Sequence, residues 1–367
     1  RIAGKCNRMK IGIVQRVLAE YRVPLFDLLA ESYDGNVSVF AGDPRKDEMI
    51  DTSRKLEKAH FYYANNKHLF HGKFYLCFQT NIFQWMRSQN LDVLIVEANN
   101  RYPLTRWAIH WMHRRNRPVI GWGLGAGFNQ NRLKRRFFRQ FDAILTYSGA
   151  GAESYRKIGV SPEKIFIAKN AVTERPKRDL PPKRSSEISD HPVILFVGRL
   201  QERKRVDLLI EACAALKDSV SPILWIVGDG PARQQITELA AKIFPQTLFF
   251  GALYGQELTE KFEQADLFVL PGTGGLALQQ AMASGLPVIA AEADGTQTDL
   301  VREENGILVK PGDLEMLTNA IRTLLSDSSQ LRKMGDRSFQ IVRNEINLEN
   351  MAKSFEEAIT YAVQNRK

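Results

Sequence analysis

Between residues 193 and 291 the chain repeats one pattern: an apolar run, a turn built on glycine or proline, then a segment with helical spacing. The runs fall at residues 193–197, 225–227, 247–251, 265–271 and 286–291. Val193-Ile194-Leu195-Phe196-Val197 is apolar throughout rather than alternating, as expected of a strand buried on both faces. Such strands separated by helices predict an α/β fold with a doubly wound parallel sheet, whose ligands bind beyond the carboxyl ends of the strands.

The first run leads into Gly198, Arg199 and then Lys204, before Val206, Leu209, Ile210 and Cys213 mark a helical face. Two cations at a strand's carboxyl end, near a helix N-terminus, suit a diphosphate; a solvated surface pair is the bland alternative. Arg203 and Arg205 read as solvent-facing. Gly228 and Gly230 mark a second such turn, with Pro231 at a first helical position. Pro271-Gly272-Thr273-Gly274-Gly275 precedes a helix expected from Leu276 to Ala283, and its small residues let backbone approach a phosphate or sugar.

A chain of 367 residues is long enough for two domains with separate cores. No apolar stretch approaches the roughly 20 residues that a membrane helix needs. Cys6, Cys77 and Cys213 lack metal-ligand spacing, and so do the six histidines, His60, His68, His71, His110, His113 and His191. The expectation is therefore a reduced, cytoplasmic setting and no metal. Residues 1–8 lack a hydrophobic signal core and read as leader ahead of a strand from residue 10. Further strands are expected at residues 37–40, 93–96, 119–121 and 143–147, and residues 174–191, with three prolines, read as a linker. The net charge of +10 is uneven: about +14 over residues 1–173 and about −5 over residues 192–367. An anionic partner is implied, and without any nucleic-acid-binding signature a membrane or lipid phosphate suits it better than nucleic acid.

In their order the motifs resemble the group 1 glycosyltransferases of family 4, retaining enzymes of the GT-B fold. The resemblance rests on Val-Gly-Arg-Leu at 197–200 with Lys204, Gly-Asp-Gly-Pro at 228–231, Phe250-Gly251, Ala-Asp-Leu-Phe-Val-Leu-Pro at 265–271, Ala-Met-Ala-Ser-Gly-Leu-Pro-Val-Ile at 281–289 and Asn-Gly-Ile-Leu-Val-Lys-Pro-Gly-Asp at 305–313. It covers the C-terminal half closely. In the N-terminal half it is carried by strand–helix alternation and by Lys169-Asn170-Ala171-Val172. It implies two Rossmann-like doubly wound domains facing a cleft: an acceptor domain at 9–173, the linker at 174–191, a nucleotide-sugar domain at 192–345, and a final helix within 346–367 crossing back to the first domain on the stripe Met351, Phe355, Ala358 and Ile359. It further implies a donor site at Gly198, Arg199, Lys204, Gly228, Gly230, Phe250, Gly251, Leu253, Thr273, Gly274, Gly275, Leu276 and Gln280.

Two departures stand out. The family's paired glutamates are absent, with Gly272 and Gln280 at their positions, and Gly121-Trp122-Gly123-Leu124-Gly125-Ala126-Gly127 carries no histidine where the family commonly has one. The Gln280 amide can still bond a ribose, or merely cap a helix contact. Trp122 can stack on a sugar while Gly123 and Gly125 bring backbone to the acceptor, with structural packing as the alternative. A dinucleotide-binding reading of these glycines is weaker, because Phe128-Asn129-Gln130-Asn131 does not continue as an apolar helix. Asn99, Tyr21 and Arg22 are acceptor candidates by topology, and Glu97 is either a general base or a loop carboxylate.

The run Arg132, Lys134, Arg135, Arg136 and Arg139 interleaves with Leu133, Phe137, Phe138 and Phe141. These apolar residues would share one helix face, packed in the core or lying on an anionic membrane. The expected function is metal-independent sugar transfer from a nucleotide diphosphate sugar, a co-substrate rather than a cofactor, to a glycan or lipid-linked acceptor on the cytoplasmic side of a membrane. A catalytically inactive nucleotide- or partner-binding subunit is the alternative, and a sugar-nucleotide epimerase a weaker one.

Overall fold

The computed structural model describes residues 8–45, 48, 50–127, 132–185, 187 and 189–366. Cys6, the remainder of the leader segment and Phe128 to Asn131 lie outside them. The chain divides into two compact units, residues 1–172 with 348–367, and residues 173–347.

The first unit is built on β1 (Ile11–Val17), β2 (Val37–Gly42), β3 (His60–Tyr63), β4 (Asn66–Leu69), β5 (Leu76–Gln79), β6 (Val93–Glu97), β7 (Val119–Gly123), β8 (Ala143–Thr146) and β9 (Ile165–Ile167). Seven of these form a parallel sheet in the order β3-β2-β1-β6-β7-β8-β9, while β4 and β5 pair as a separate antiparallel hairpin. The order reverses between β1 and β6, so the loops after these strands diverge and leave a crevice at their carboxyl ends. The first four residues of β1 and of β6 are apolar and buried, and all of β8 is buried, since helices cover both faces of the sheet.

One covering element comes from the far end of the sequence. In the helix Leu348–Gln364, Met351, Phe355, Ala358 and Ile359 are buried, and the Phe355 ring meets Trp122 edge-on at 4.9 Å. Each large side chain so buried contributes about 1.5–3 kcal/mol.

The second unit contains β10 (Val193–Val197), β11 (Ile223–Val227), β12 (Thr247–Gly251), β13 (Leu267–Leu270), β14 (Val288–Ala291) and β15 (Gly306–Val309). They form a parallel sheet in the order β12-β11-β10-β13-β14-β15, which reverses between β10 and β13. The expected α/β architecture of two doubly wound, Rossmann-like units is what the chain adopts. β3, β4, β5, β9 and β15 were not read from the sequence; β3 to β5 are four residues each, with partly exposed positions in all three and a polar majority in β4, so they lack the long unbroken apolar run of a buried strand.

Part of the segment read as a linker packs firmly on the second unit. The Arg184 guanidinium donates to the carbonyls of Phe262, Glu263, Ala265 and Ser284, closing the ends of a helix and a strand turn.

Candidate active site

In the second unit the reversal at β10 and β13 brings together the loops 198–204, 228–231, 271–275 and 292–297. Gly228 adopts φ +138°, and a Cβ there would fall 2.0 Å from the Gly198 carbonyl oxygen. A Cβ on Gly230 would lie 2.3 Å from the Leu200 carbonyl oxygen. These two glycines let one backbone turn rest on another, sealed by Leu200 N–H donating to Asp229 O at 2.9 Å and Ala232 N–H to Leu200 O at 3.0 Å. The Gly251 carbonyl accepts from Gly228 N–H at 2.6 Å. Phe250 and Leu253 are half-buried against the core, the Phe250 ring 5.4 Å from Trp225 with Lys261 Nζ 4.0 Å above it.

Lys204 closes over the glycine loop. Its Nζ donates to the Thr273 carbonyl at 2.6 Å and would clash, at 2.4 Å, with a Cβ on Gly274, whose φ is +136°. Burial, reinforced by Arg203 and opposed by Asp294, pushes the Lys204 ammonium down to about 8. Holding the charged form there costs on the order of 3 kcal/mol. A desolvated cation of this kind is stabilised by an arriving anion.

Arg203 is exposed, as read, yet its Nη1 donates to Thr273 Oγ1 at 2.8 Å while Thr273 N–H donates back to Arg203 O at 3.0 Å. Arg199 stands half-buried after β10, and Gly275 and Leu276 start the helix Leu276–Ala283. The two glutamines of that helix differ. Gln279 is buried and donates to the Ile346 carbonyl at 2.6 Å, whereas the half-buried Gln280 side chain has no hydrogen bond among the described residues.

Gly272 is buried against the turn at 202–204: a Cβ there would sit 2.4 Å from Arg203 O and 2.6 Å from the Lys204 carbonyl carbon. The backbone of the cationic turn thus fills the space a side chain would need.

Sequence reasoning passed over the loop after β14. Gln297 is fully buried and donates to the Gly274 carbonyl, while Asp294 accepts from Thr296 N–H at 3.1 Å and Thr296 Oγ1 at 2.6 Å. The available signal was Asp294-Gly295-Thr296 directly after an apolar run, one more loop at a strand's carboxyl end.

In the first unit a cavity of about 620 Å³ opens beyond β1, β6 and β7. Tyr21, Glu97, Asn99, Gly123 and Gly125 border it, as do Arg16 and Tyr102, which the sequence reading missed. Glu97 Oε1 accepts the Arg16 backbone N–H at 2.6 Å, and burial holds the Glu97 carboxyl above the ordinary range, opposed by that hydrogen bond and by Tyr102. The Arg16 guanidinium turns to Glu48 at 2.5 Å. The Asn99 side chain accepts from Arg101 N–H at 3.0 Å. At Gly125 a Cβ would fall 2.6 Å from Ser154 Oγ, which receives the Ala126 N–H at 2.8 Å, so this glycine also serves packing.

Three expectations are corrected. Trp122 borders the cavity but is only 2% exposed; its ring meets Phe26 and Phe355 edge-on and Arg22 lies 5.1 Å above it, leaving no free face for a sugar. Arg22 is itself buried, donating to Asn170 Oδ1 at 2.7 Å among the rings of Tyr21, Trp122 and Tyr147, because π faces and a hydrogen-bond acceptor offset the loss of hydration of a buried guanidinium. In the basic run the helix spans only Arg132–Phe138, and it reaches the core through Phe137 and Phe138, with Phe141 beyond it, while Leu133 is 67% exposed.

Lys134 borders the cavity rather than the outer surface, its Nζ 3.2 Å from where a Gly127 Cβ would lie, and burial lowers its pKa. Arg132, Arg135, Arg136 and Arg139 instead line a separate hollow of about 580 Å³. Among the described residues no group of His, Cys, Asp or Glu is arranged to hold a metal, and no helix is long and apolar enough to cross a membrane.

Residues 178–340 match the family model for glycosyl transferases group 1. The chain is 34% identical over 145 residues to sulfoquinovosyl transferase SQD2 of Arabidopsis thaliana, covering 38% of this chain and 27% of that protein. It is 28% identical over 231 residues to the lipopolysaccharide core biosynthesis glycosyltransferase LpsE of Rhizobium meliloti, covering 60% and 64%. With a GDP-mannose-dependent alpha-mannosyltransferase of Mycobacterium tuberculosis it shares 35% over 164 residues, 42% of this chain and 41% of that one. The chain spans less than two thirds of the length of each of these relatives.

Among solved structures, Anabaena Alr3699/HepE in complex with UDP and glucose superposes with a TM-score of 0.70 at 16% identity, over 96% of this chain and 99% of that one. The lipopolysaccharide outer core galactosyltransferase WaaB in its apo form gives 0.70 at 16%, again over 96% and 99%. At these identities the likeness establishes the fold, which is GT-B. Together with the motif order along β10 to β15, these findings make residues 178–340 a glycosyl transferases group 1 domain.

Proposed function

We propose that the protein transfers a sugar from a nucleoside diphosphate sugar, bound by the second unit, to a hydroxyl of an acceptor bound in the cavity of the first. The observation that carries this reading is Lys204, a cation desolvated against a glycine loop and lacking an ion pair among the described residues. Such a group is at its most stabilising when diphosphate charge develops as the leaving group departs. Similar proteins support the donor class: one solved structure is a complex with UDP and glucose, and one relative is a GDP-mannose-dependent enzyme.

In the reaction the anomeric carbon–oxygen bond to the diphosphate breaks and a bond to the acceptor oxygen forms. The acceptor's proton passes to the leaving diphosphate, or to Glu97, the one carboxylate bordering the cavity among the described residues, whose burial-raised pKa favours taking a proton. Retention of configuration accords with transfer to the diphosphate, which leaves from the face that the acceptor enters. Arg199 and Lys204 stabilise the departing charge, Gln280 offers a neutral amide to the nucleotide, and no metal takes part. The acceptor is a glycan or glycolipid presented at an anionic membrane surface, which the arginines around the 580 Å³ hollow attract from the cytoplasmic side.

A second reading, a nucleotide-binding subunit without turnover, is favoured by Gly272, where packed backbone excludes the carboxylate that the resemblance puts there. The test is incubation of the protein with a panel of UDP-, GDP- and ADP-sugars and membrane extract, followed by mass spectrometry. Release of the nucleoside diphosphate together with a sugar-modified lipid or glycan is expected. Tight donor binding with neither transfer nor hydrolysis would leave the second reading in place.

A further inference from the structure

We propose that the β4–β5 hairpin is an anchor that inserts its aromatic tip into the headgroup region of an anionic bilayer. The base of the hairpin is locked. Asn66 Nδ2 donates to the carbonyls of Arg16 and Asp43 at 2.7 and 2.9 Å, Gln79 Nε2 to that of Gln15 at 3.0 Å, and His68 Nδ1 lies 2.9 Å from the Tyr75 hydroxyl. Cys77 N–H donates to the Arg101 carbonyl at 2.9 Å.

Beyond this base the side chains turn outward. Leu69, Phe70 and Phe74 are 45%, 64% and 81% exposed, and Phe74 is the most exposed of the unit's large apolar side chains. Phe70 also holds φ +59°, a left-handed conformation that a bulky residue adopts only under constraint, and one that aligns strain with the most exposed part of the element.

The charge around the tip selects the occupant. The hairpin segment, residues 66–79, contains no aspartate or glutamate and carries Lys67 and Lys73, with His68 and His71 beside the two phenylalanines. The carboxylate of Asp43, at the base, is taken up by Arg54 and the Tyr63 hydroxyl. Exposed phenyl rings inside a field that is cationic or neutral fit an anionic lipid interface, where apolar insertion and headgroup attraction add. A protein partner would be expected to call for acidic groups among the contacts. The base strands touch Gln15, Arg16 and Arg101, all on the wall of the 620 Å³ cavity, so an inserted tip would bring that cavity to the membrane surface.

The proposal is independent of glycosyl transfer, because it is read without donor or acceptor. The full chain is floated with vesicles of phosphatidylglycerol and phosphatidylcholine, beside a Phe70→Asn, Phe74→Ser variant. Asparagine tolerates the left-handed backbone and both side chains are exposed, so the thermal midpoint should hold. Vesicle partitioning should fall about tenfold, and the remainder should vanish in high salt. In a Cys6→Ser background, with Cys77 and Cys213 buried, a Phe74→Cys variant carrying an environment-sensitive dye should shift to the blue on vesicles and be quenched by brominated lipid. Unchanged partitioning with unchanged dye emission overturns the proposal. So does a parent that dimerises through the tip while failing to bind vesicles, an outcome that assigns the phenylalanines to a second copy.

Discussion

The same sheet edge serves two units of this chain, and they treat charge in opposite ways. At the carboxyl end of β10 Lys204 is desolvated and bonded to a carbonyl, with no carboxylate paired to it among the described residues. At the carboxyl end of β1 Arg16 is closed by Glu48, and Glu97 is engaged by the Arg16 backbone N–H. A site built for a highly charged ligand can leave a cation waiting, because the ligand supplies the compensation. A cavity meant for a largely neutral ligand does better to settle its charges internally. The contrast teaches that Rossmann-like topology provides the crevice, while the loops decide what enters it.

The harshest way to break this comparison is to restore the carboxylate that the resemblance calls for. Gly272→Glu should drive its Cβ into the backbone of residues 203 and 204, lowering stability by about 3 kcal/mol or more and abolishing donor binding. A variant with an unchanged thermal midpoint and higher activity would show that the turn at 202–204 moves freely. Next in size, Glu97→Gln keeps a carbonyl to accept the Arg16 N–H but cannot take a proton. It should reduce kcat about a hundredfold while donor affinity stays within about twofold. A wild-type kcat would leave proton transfer to the diphosphate alone.

Lys204→Ala and Arg199→Ala should each weaken donor binding and kcat/KM by about ten- to a hundredfold without unfolding the protein. Calorimetry with UDP and GDP would separate the two residues, and normal affinity in both would break the assignment of the second unit as the charged site. The pH response sharpens the same point. Lys204 sits near 8 in the free protein, so its charge is fully present below that pH and is lost above it. Donor kcat/KM should therefore fall toward tenfold per unit above about pH 8, and Lys204→Arg should abolish that limb because a guanidinium stays protonated. The smallest expected effect is that of chelator: turnover should be the same in EDTA, and a strict requirement for magnesium would end the metal-free mechanism.

Legibility followed burial and locality. Fully buried parallel strands such as β10 and β13 announce themselves as unbroken apolar runs, so the doubly wound class could be read directly. The short β4, mostly polar, and β5, whose apolar run is only three residues long, could not, and the hairpin they form went unseen. In the second unit Arg199, Lys204 and the loop 271–275 follow their strands within a few residues, and the motif names them. In the first unit the cavity wall is assembled from segments around residues 16, 97, 123 and 134. No local pattern links those segments, and Trp122 and Arg22 were misplaced because a sequence does not say which face of a strand or loop an amphipathic side chain takes.

The sequence by itself determined the parallel sheets, the cationic turn after β10, the apolar stripe of residues 351–359 and the charge asymmetry, since each depends on composition or on spacing along a single element. The tertiary structure decided the rest. It filled the space at Gly272 with backbone, lowered the Lys204 pKa by burial, caged Arg22 among three rings and turned Phe70 and Phe74 outward. These properties arise from groups distant in sequence meeting at van der Waals range, where excluded volume and lost solvation, rather than local propensity, set the energy.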